Sequence, residues 1–198
     1  MTKFLIAAVL FAAAATVRAE IAPGAPAPDF TLSDQTGAPR KLSDAKGKYV
    51  VLEWWNKDCP FVRRHYNAKN MQGLQKKYTG KGVVWYSIDS SAEGREGHLS
   101  PKAAAAVMKK QGMASTAVLL DPKGEVGRLY GAKTTPHMFV VDPKGNVIYM
   151  GAIDDNPSTD AAELKGAHNY VSAALDAAMA GKAVPNPATQ SYGCSVKY

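Results

Sequence analysis

Short continuous apolar runs alternate along this chain with stretches whose apolar residues recur every three to four positions. The longest of the continuous runs, Tyr49 to Trp55 (YVVLEWW), has the length and the β-branched and aromatic content of a buried strand ending near Asn56. Val83 to Asp89, Ala117 to Leu120, His137 to Val141 and Val147 to Ala152 predict further strands in the same way. Pro60 opens a helix, and Met71, Leu74 and Tyr78 continue its apolar face after an irregularity near Asn67 to Asn70. Ser100 before Pro101 starts a second helix that Gly112 stops, and Glu125 to Tyr130 is a short third. Asp160 to Met179 predicts one alanine-rich amphipathic helix. Ahead of all these, Phe30 to Ser33 and Arg40 to Leu42 suggest a hairpin around Gln35-Thr36-Gly37, and Asp142-Pro143-Lys144-Gly145 turns the last two strands into another.

Strands separated by helices predict an α/β fold: a mainly parallel central sheet, a final antiparallel pair, and helices on both faces. In such sheets the functional site lies at the carboxyl ends of the strands. Cys59 falls there. Beyond Gly181 the sequence turns polar and proline-containing, and predicts a flexible tail ending Tyr192-Gly193-Cys194-Ser195.

The two ends change the picture most. Met1-Thr2-Lys3 is a basic start, Phe4 to Val17 is apolar and alanine-rich, and Val17-Arg18-Ala19 is a small-residue cleavage site. That pattern predicts a signal peptide cut after Ala19, hence a periplasmic or secreted protein without stable membrane insertion. The expected organisation is a leader over 1–19, one domain over 20–181 and a tail over 182–198. The formal charge of the chain is +7, but basic and acidic residues are interspersed, which argues against a nucleic-acid surface. The chain has two cysteines, and in an oxidising compartment such a pair is expected to join at least part of the time.

Cys59 sits where a strand ends and a helix begins. The unpaired N–H groups there favour the anionic, nucleophilic form of sulfur, and Lys57, Arg63 and Arg64 add positive charge. Glu53 is an acid inside an apolar run, a costly placement that calls for a purpose. Thr134-Thr135-Pro136 precedes a strand, where proline is tolerated only at the start.

Strand, turn, Cys59-Pro60, helix, and later Thr135-Pro136 before a strand resemble the thioredoxin superfamily. Gly24-Ala25-Pro26-Ala27-Pro28-Asp29-Phe30-Thr31-Leu32, followed by Leu42-Ser43-Asp44 and Lys46-Gly47-Lys48, is similar to the N-terminal signature of its redoxin branch, which includes the alkyl hydroperoxide reductase/thiol-specific antioxidant proteins. The resemblance implies a thioredoxin-like fold over about residues 22 to 180. It also implies a thiol oxidoreductase in which Cys59 is the reactive cysteine, Pro136 the cis-proline, Glu53 the buried acid that takes the thiol proton, and Trp55 the active-site tryptophan. Pro60, Arg63 and Thr135 would stabilise the thiolate or bind substrate. Departures from the family pattern stand beside these matches. Val62 replaces thioredoxin's second cysteine, and Leu52 and Asn56 replace the proline and the hydroxyl residue of peroxiredoxins.

Cys194 is a structural staple, a spare thiol, or the partner that resolves Cys59 as a disulfide; a mobile tail suits the last role. The Cys59–Cys194 bond expected in the oxidised protein folds that tail back across the sheet's carboxyl edge near Thr135-Pro136. The expected reaction is attack by Cys59 on a peroxide or a disulfide, with regeneration by a thiol reductant and no cofactor. The alternative is a copper carrier in which Cys59 is joined by the soft ligands His65, His137 and Met138.

Overall fold

The computed structural model describes residues 21–198, so the expected leader over 1–19 lies outside the described residues. The hairpin pairs β1 (Thr31–Asp34) with β2 (Pro39–Lys41). It leads into β3 (Val50–Trp54), the helices α1 (Pro60–Asn67) and α2 (Asn70–Thr79), and β4 (Val84–Asp89). Then come α3 (Pro101–Gln111), β5 (Ala117–Leu120), α4 (Glu125–Tyr130) and the two-residue β6 (Thr134–Thr135). The antiparallel pair β7 (His137–Val141) and β8 (Val147–Gly151), α5 (Tyr170–Met179) and a short β9 (Cys194–Ser195) complete the order.

Seven strands form one mixed sheet in the order β2-β1-β5-β4-β3-β7-β8. β3, β4 and β5 run parallel, while β7, β8 and the hairpin are antiparallel to their neighbours. β3 lies inside the sheet between β4 and β7 with all five residues buried, because alternate side chains enter two different cores. Val51 and Trp55 face the core under α1, α2, α3 and α5, with Trp85, Met138 and Leu175. Val50, Leu52 and Trp54 face the core under α4 and the hairpin, with Phe30, Tyr130 and Phe139. Among the described residues no helix is long and apolar enough to cross a membrane.

The irregularity expected near Asn67 to Asn70 is a break between α1 and α2 at Lys69, which takes a left-handed φ of 61°. The expected helix over Asp160 to Met179 is a 3-10 turn at Ala161–Leu164 followed by a separate α5, because the Asn169 side chain accepts the Ser172 amide and caps a new start.

The tail lies back over the active site beside Thr135-Pro136, as the placing of the two cysteines leads one to expect, but it is docked along its length where a mobile segment was expected. Pro187 to Thr189 bonds to the outer side of Met150, and the Thr189 hydroxyl accepts the Ala152 amide at 3.0 Å. Gly151 makes this approach possible, since a Cβ there would stand 2.3 Å from Thr189. β9 pairs antiparallel with β6, setting Cys194 opposite Thr135. Past it, the Lys197 carbonyl accepts the Ala92 amide. Tyr198 packs its ring 4.4 Å from the Arg128 guanidinium and donates its hydroxyl to the Ala132 carbonyl.

Candidate active site

The turn that presents Cys59 is braced by Asn56, three residues before it. The Asn56 side chain accepts the Asp58 amide at 2.8 Å and donates to the Glu96 carbonyl at 3.0 Å and the Ser91 hydroxyl at 3.3 Å. Cys59 is the N-cap of α1 in extended conformation, with Pro60 in the first turn and its own carbonyl accepting the Arg63 amide. Its side chain points inward and is 1% exposed, packed in the core that holds Trp55, Val62 and Met138.

The Thr135–Pro136 peptide is cis, and the loop carries the Thr135 carbonyl oxygen to 3.0 Å from Cys59 Sγ. Cys194 sits opposite Thr135 in the strand pairing, its Sγ 2.7 Å from Cys59 Sγ, with the two cysteines not joined as a disulfide. Cys59 thus has one proton and two neighbours able to accept it. Burial, and then the adjacent Cys59, push the Cys194 thiol up to about 12. So Cys194 holds its proton.

Glu53 is fully buried on β3. It accepts hydrogen bonds from Trp85 Nε1 at 2.8 Å, the Ser87 and Tyr66 hydroxyls at 2.9 Å, and Gln75 Nε2 at 3.2 Å. Burial raises its proton affinity against these donors, which favour the carboxylate. Cys59 is not among its hydrogen-bond partners. Of the basic neighbours expected around Cys59, Arg63 is exposed. Arg64 is buried and turned away, donating to the Asn156 and Ser158 carbonyls at 2.5 and 2.6 Å.

A second cluster holds the tail beside the thiols and was not foreseen. Tyr192 donates its hydroxyl to Asp154 Oδ1 and lies 3.3 Å from His65 Nε2, while its ring sits 5.9 Å from Phe61 in the first turn of α1. Asp154 has Arg64 and His65 each 3.9 Å from Oδ2. Nothing in the sequence ties Asp154 to a tyrosine near the end of the chain.

The soft-ligand set is not brought together. His65 uses Nδ1 on Asn70 and Nε2 on Tyr192. His137 stacks on Phe139 in the core across the sheet from Cys59, leaving only Met138 on the thiol side. Among the described residues no group of three His, Cys, Asp or Glu is placed to hold a metal.

Both buried histidines should make the fold acid-sensitive. Burial lowers His65 to about 3, and burial with the Lys133 charge lowers His137 to about 4, against 6.5 for a free histidine. Between those values the unfolded chain binds the extra protons, so stability is complete above pH 6.5 and falls as pH drops toward the folded values. Each histidine should cost on the order of 2 kcal/mol at about pH 5. His137→Gln keeps an acceptor for the Lys133 amide but cannot titrate. Urea unfolding should therefore show wild type losing about 2 kcal/mol relative to this variant between about pH 7 and pH 5. Parallel stability curves would refute the assignment.

The model of the AhpC/TSA family matches residues 23–150, well over half of the chain, and ends before the Asp154 cluster, α5 and the tail. A thiol-disulfide oxidoreductase, ResA, of Geobacillus thermodenitrificans is 28% identical over 139 residues, covering 67% of this chain and 70% of its own. Two solved structures match more of the molecule. A hypothetical protein from Sinorhizobium meliloti superposes with a TM-score of 0.75 at 26% identity, covering 91% of this chain and 96% of that one. An uncharacterized conserved protein from Geobacillus kaustophilus gives 0.76 at 28% identity, covering 90% and 93%.

Proposed function

The chain belongs to the AhpC/TSA family and is a thiol oxidoreductase of thioredoxin-like fold, and from that premise we propose that Cys59 and Cys194 are its redox-active pair, working by thiol–disulfide exchange. The observation that carries this reading is the 2.7 Å approach of the two sulfurs beside a helix start and a cis-proline loop.

The Cys59 thiolate attacks one sulfur of a substrate disulfide, forms a mixed disulfide and expels the other sulfur as a thiolate. Cys194 then gives up its proton and attacks Cys59 Sγ. This closes the Cys59–Cys194 bond and expels the second substrate thiolate, so two electrons pass from the pair to the substrate. The Cys59 neighbour that helps hold the proton on Cys194 is consumed in the first step, which eases the second. A thiol reductant restores the pair, entering at half-exposed Cys194 because Cys59 is buried.

Disulfide is favoured over peroxide as substrate on two grounds. The ResA relative is named for thiol–disulfide chemistry, and position 56 carries an asparagine whose polar atoms are spent on the turn. Thr135 and Pro136 fix the loop at the thiol, Trp55 shares its core, Pro60 opens the helix that Cys59 caps, and Arg63 supplies charge at the rim. Glu53 is the proposed acid–base group behind Cys59. The tail over 182–198 is a functional appendage of the domain over 20–181, and the leader over 1–19 sends the protein to the periplasm or the exterior.

The test is stopped-flow oxidation of the prereduced protein by oxidised glutathione and by hydrogen peroxide. Cys59→Ser should abolish turnover, while Cys194→Ser should react once and stop at a mixed disulfide. Turnover surviving in Cys59→Ser removes Cys59 from the reaction. Faster oxidation by peroxide than by any disulfide, ending in a sulfenic acid in Cys194→Ser, replaces disulfide by peroxide as the substrate.

A further inference from the structure

We propose that the docked tail is a substrate filter: it occupies the strand edge beside Cys59 that a protein substrate would need, and so reserves the thiol for small oxidants. This deepens the thiol–disulfide reading and rests on it. An exposed strand edge is where an extended polypeptide adds itself by main-chain hydrogen bonds. β6 is the strand nearest the thiol, and its Thr135 carbonyl touches Cys59 Sγ. That edge is already filled by β9 in antiparallel register, Thr134 opposite Ser195 and Thr135 opposite Cys194. Cys194 thereby takes the position of an incoming substrate sulfur, 2.7 Å from Cys59.

The filter is built in rather than held by the sulfurs alone, since the tail has anchors on either side of Cys194. Thr189 is anchored at the far edge of the sheet, Tyr192 on Asp154, Lys197 on Ala92, and Tyr198 on Arg128 and Ala132. A folded protein carrying a disulfide must displace these contacts together to reach a sulfur that is 1% exposed. A small disulfide needs only the Cys194 side chain to swing aside.

The experiment uses Cys194→Ser, so that a single attack by Cys59 is read as mixed-disulfide formation. Insulin serves as the protein disulfide and oxidised glutathione as the small one. Adding Tyr192→Ala and Tyr198→Ala, which remove two anchors, should raise the insulin rate at least about tenfold and leave the glutathione rate within about threefold. If that variant loses its circular dichroism, Gly193→Ala in the same background undocks the tail sterically and takes its place. An insulin rate unchanged by undocking overturns the filter and leaves the redox reading standing. If neither disulfide modifies Cys59 in any variant, the redox reading falls and the filter with it.

Discussion

Glu53→Ala should cost the fold roughly 3–5 kcal/mol, and Glu53→Gln less than about 1 kcal/mol. The difference follows from what surrounds the carboxylate. Alanine orphans the Trp85 indole, the Gln75 amide and the Tyr66 and Ser87 hydroxyls at once, in a fully buried site. Glutamine can set its carbonyl where Oε2 meets Trp85, Ser87 and Gln75, and its NH2 where Oε1 meets Tyr66. The Tyr66 hydroxyl can turn from donor to acceptor, so Trp85, Ser87 and Gln75 keep an acceptor and only the Tyr66 proton loses its partner. The same pair of variants reads the proton. Burial raises the proton affinity of Glu53 in the fold, so the native state binds more protons than the unfolded chain between the free value of 4.5 and the raised one. Its contribution is therefore fully present below pH 4.5 and lost as pH rises through that window. Glu53→Gln should thus gain on wild type as pH increases. Urea unfolding of all three proteins across pH measures both effects; a Glu53→Ala protein as stable as Glu53→Gln would show that the four donors find other partners. If Glu53 also takes the thiol proton, Glu53→Gln should flatten the pH profile of Cys59 alkylation.

What the sequence made legible was local or periodic. The apolar run of β3 and the Cys59-Pro60 junction fix a strand, a turn and a helix start within a dozen residues, and the structure has all three. Pro136 was expected in cis from its resemblance, and the peptide is cis. That the tail returns to Thr135-Pro136 was legible from the two cysteines, but its anchors were not, for a physical reason: they join residues far apart in sequence that carry no shared period. Thr189 reaches Ala152, Tyr192 reaches Asp154, Tyr198 reaches Ala132 and Lys197 reaches Ala92. A polar stretch with prolines has the composition of a flexible segment, and composition is blind to the side of the sheet that receives it. The copper alternative failed on a similar point. His137 and Met138 are adjacent in sequence, but successive strand residues face opposite ways, and the histidine enters the core away from Cys59.

Gly193→Ala should disconnect the two cysteines without removing either. Gly193 has φ +129°, a conformation L residues rarely adopt, and a Cβ built there lies 2.2 Å from the Thr135 carbonyl oxygen and 2.8 Å from its carbon. Those are backbone atoms next to a cis-proline, with no rotamer to yield. The neighbour that must move is therefore the tail itself, and with it Cys194, the next residue. Displacing a reacting atom by about 1 Å costs on the order of a hundredfold in rate. Closure of the Cys59–Cys194 disulfide should slow by that factor, and the pair's equilibrium with glutathione should shift toward the mixed disulfide. The first attack by Cys59 should not slow, since the variant leaves α1, the Asn56 brace and the cis loop untouched. Gly94→Ala is the control: it too has a positive φ, +77°, but meets nothing within 4 Å, so it imposes backbone strain alone. Quenched-flow mass spectrometry after mixing with oxidised glutathione separates the two steps. A Gly193→Ala protein that closes its disulfide at the wild-type rate would mean that Cys194 reaches Cys59 from an undocked tail, and the strand pairing of β6 with β9 would lose its part in the reaction.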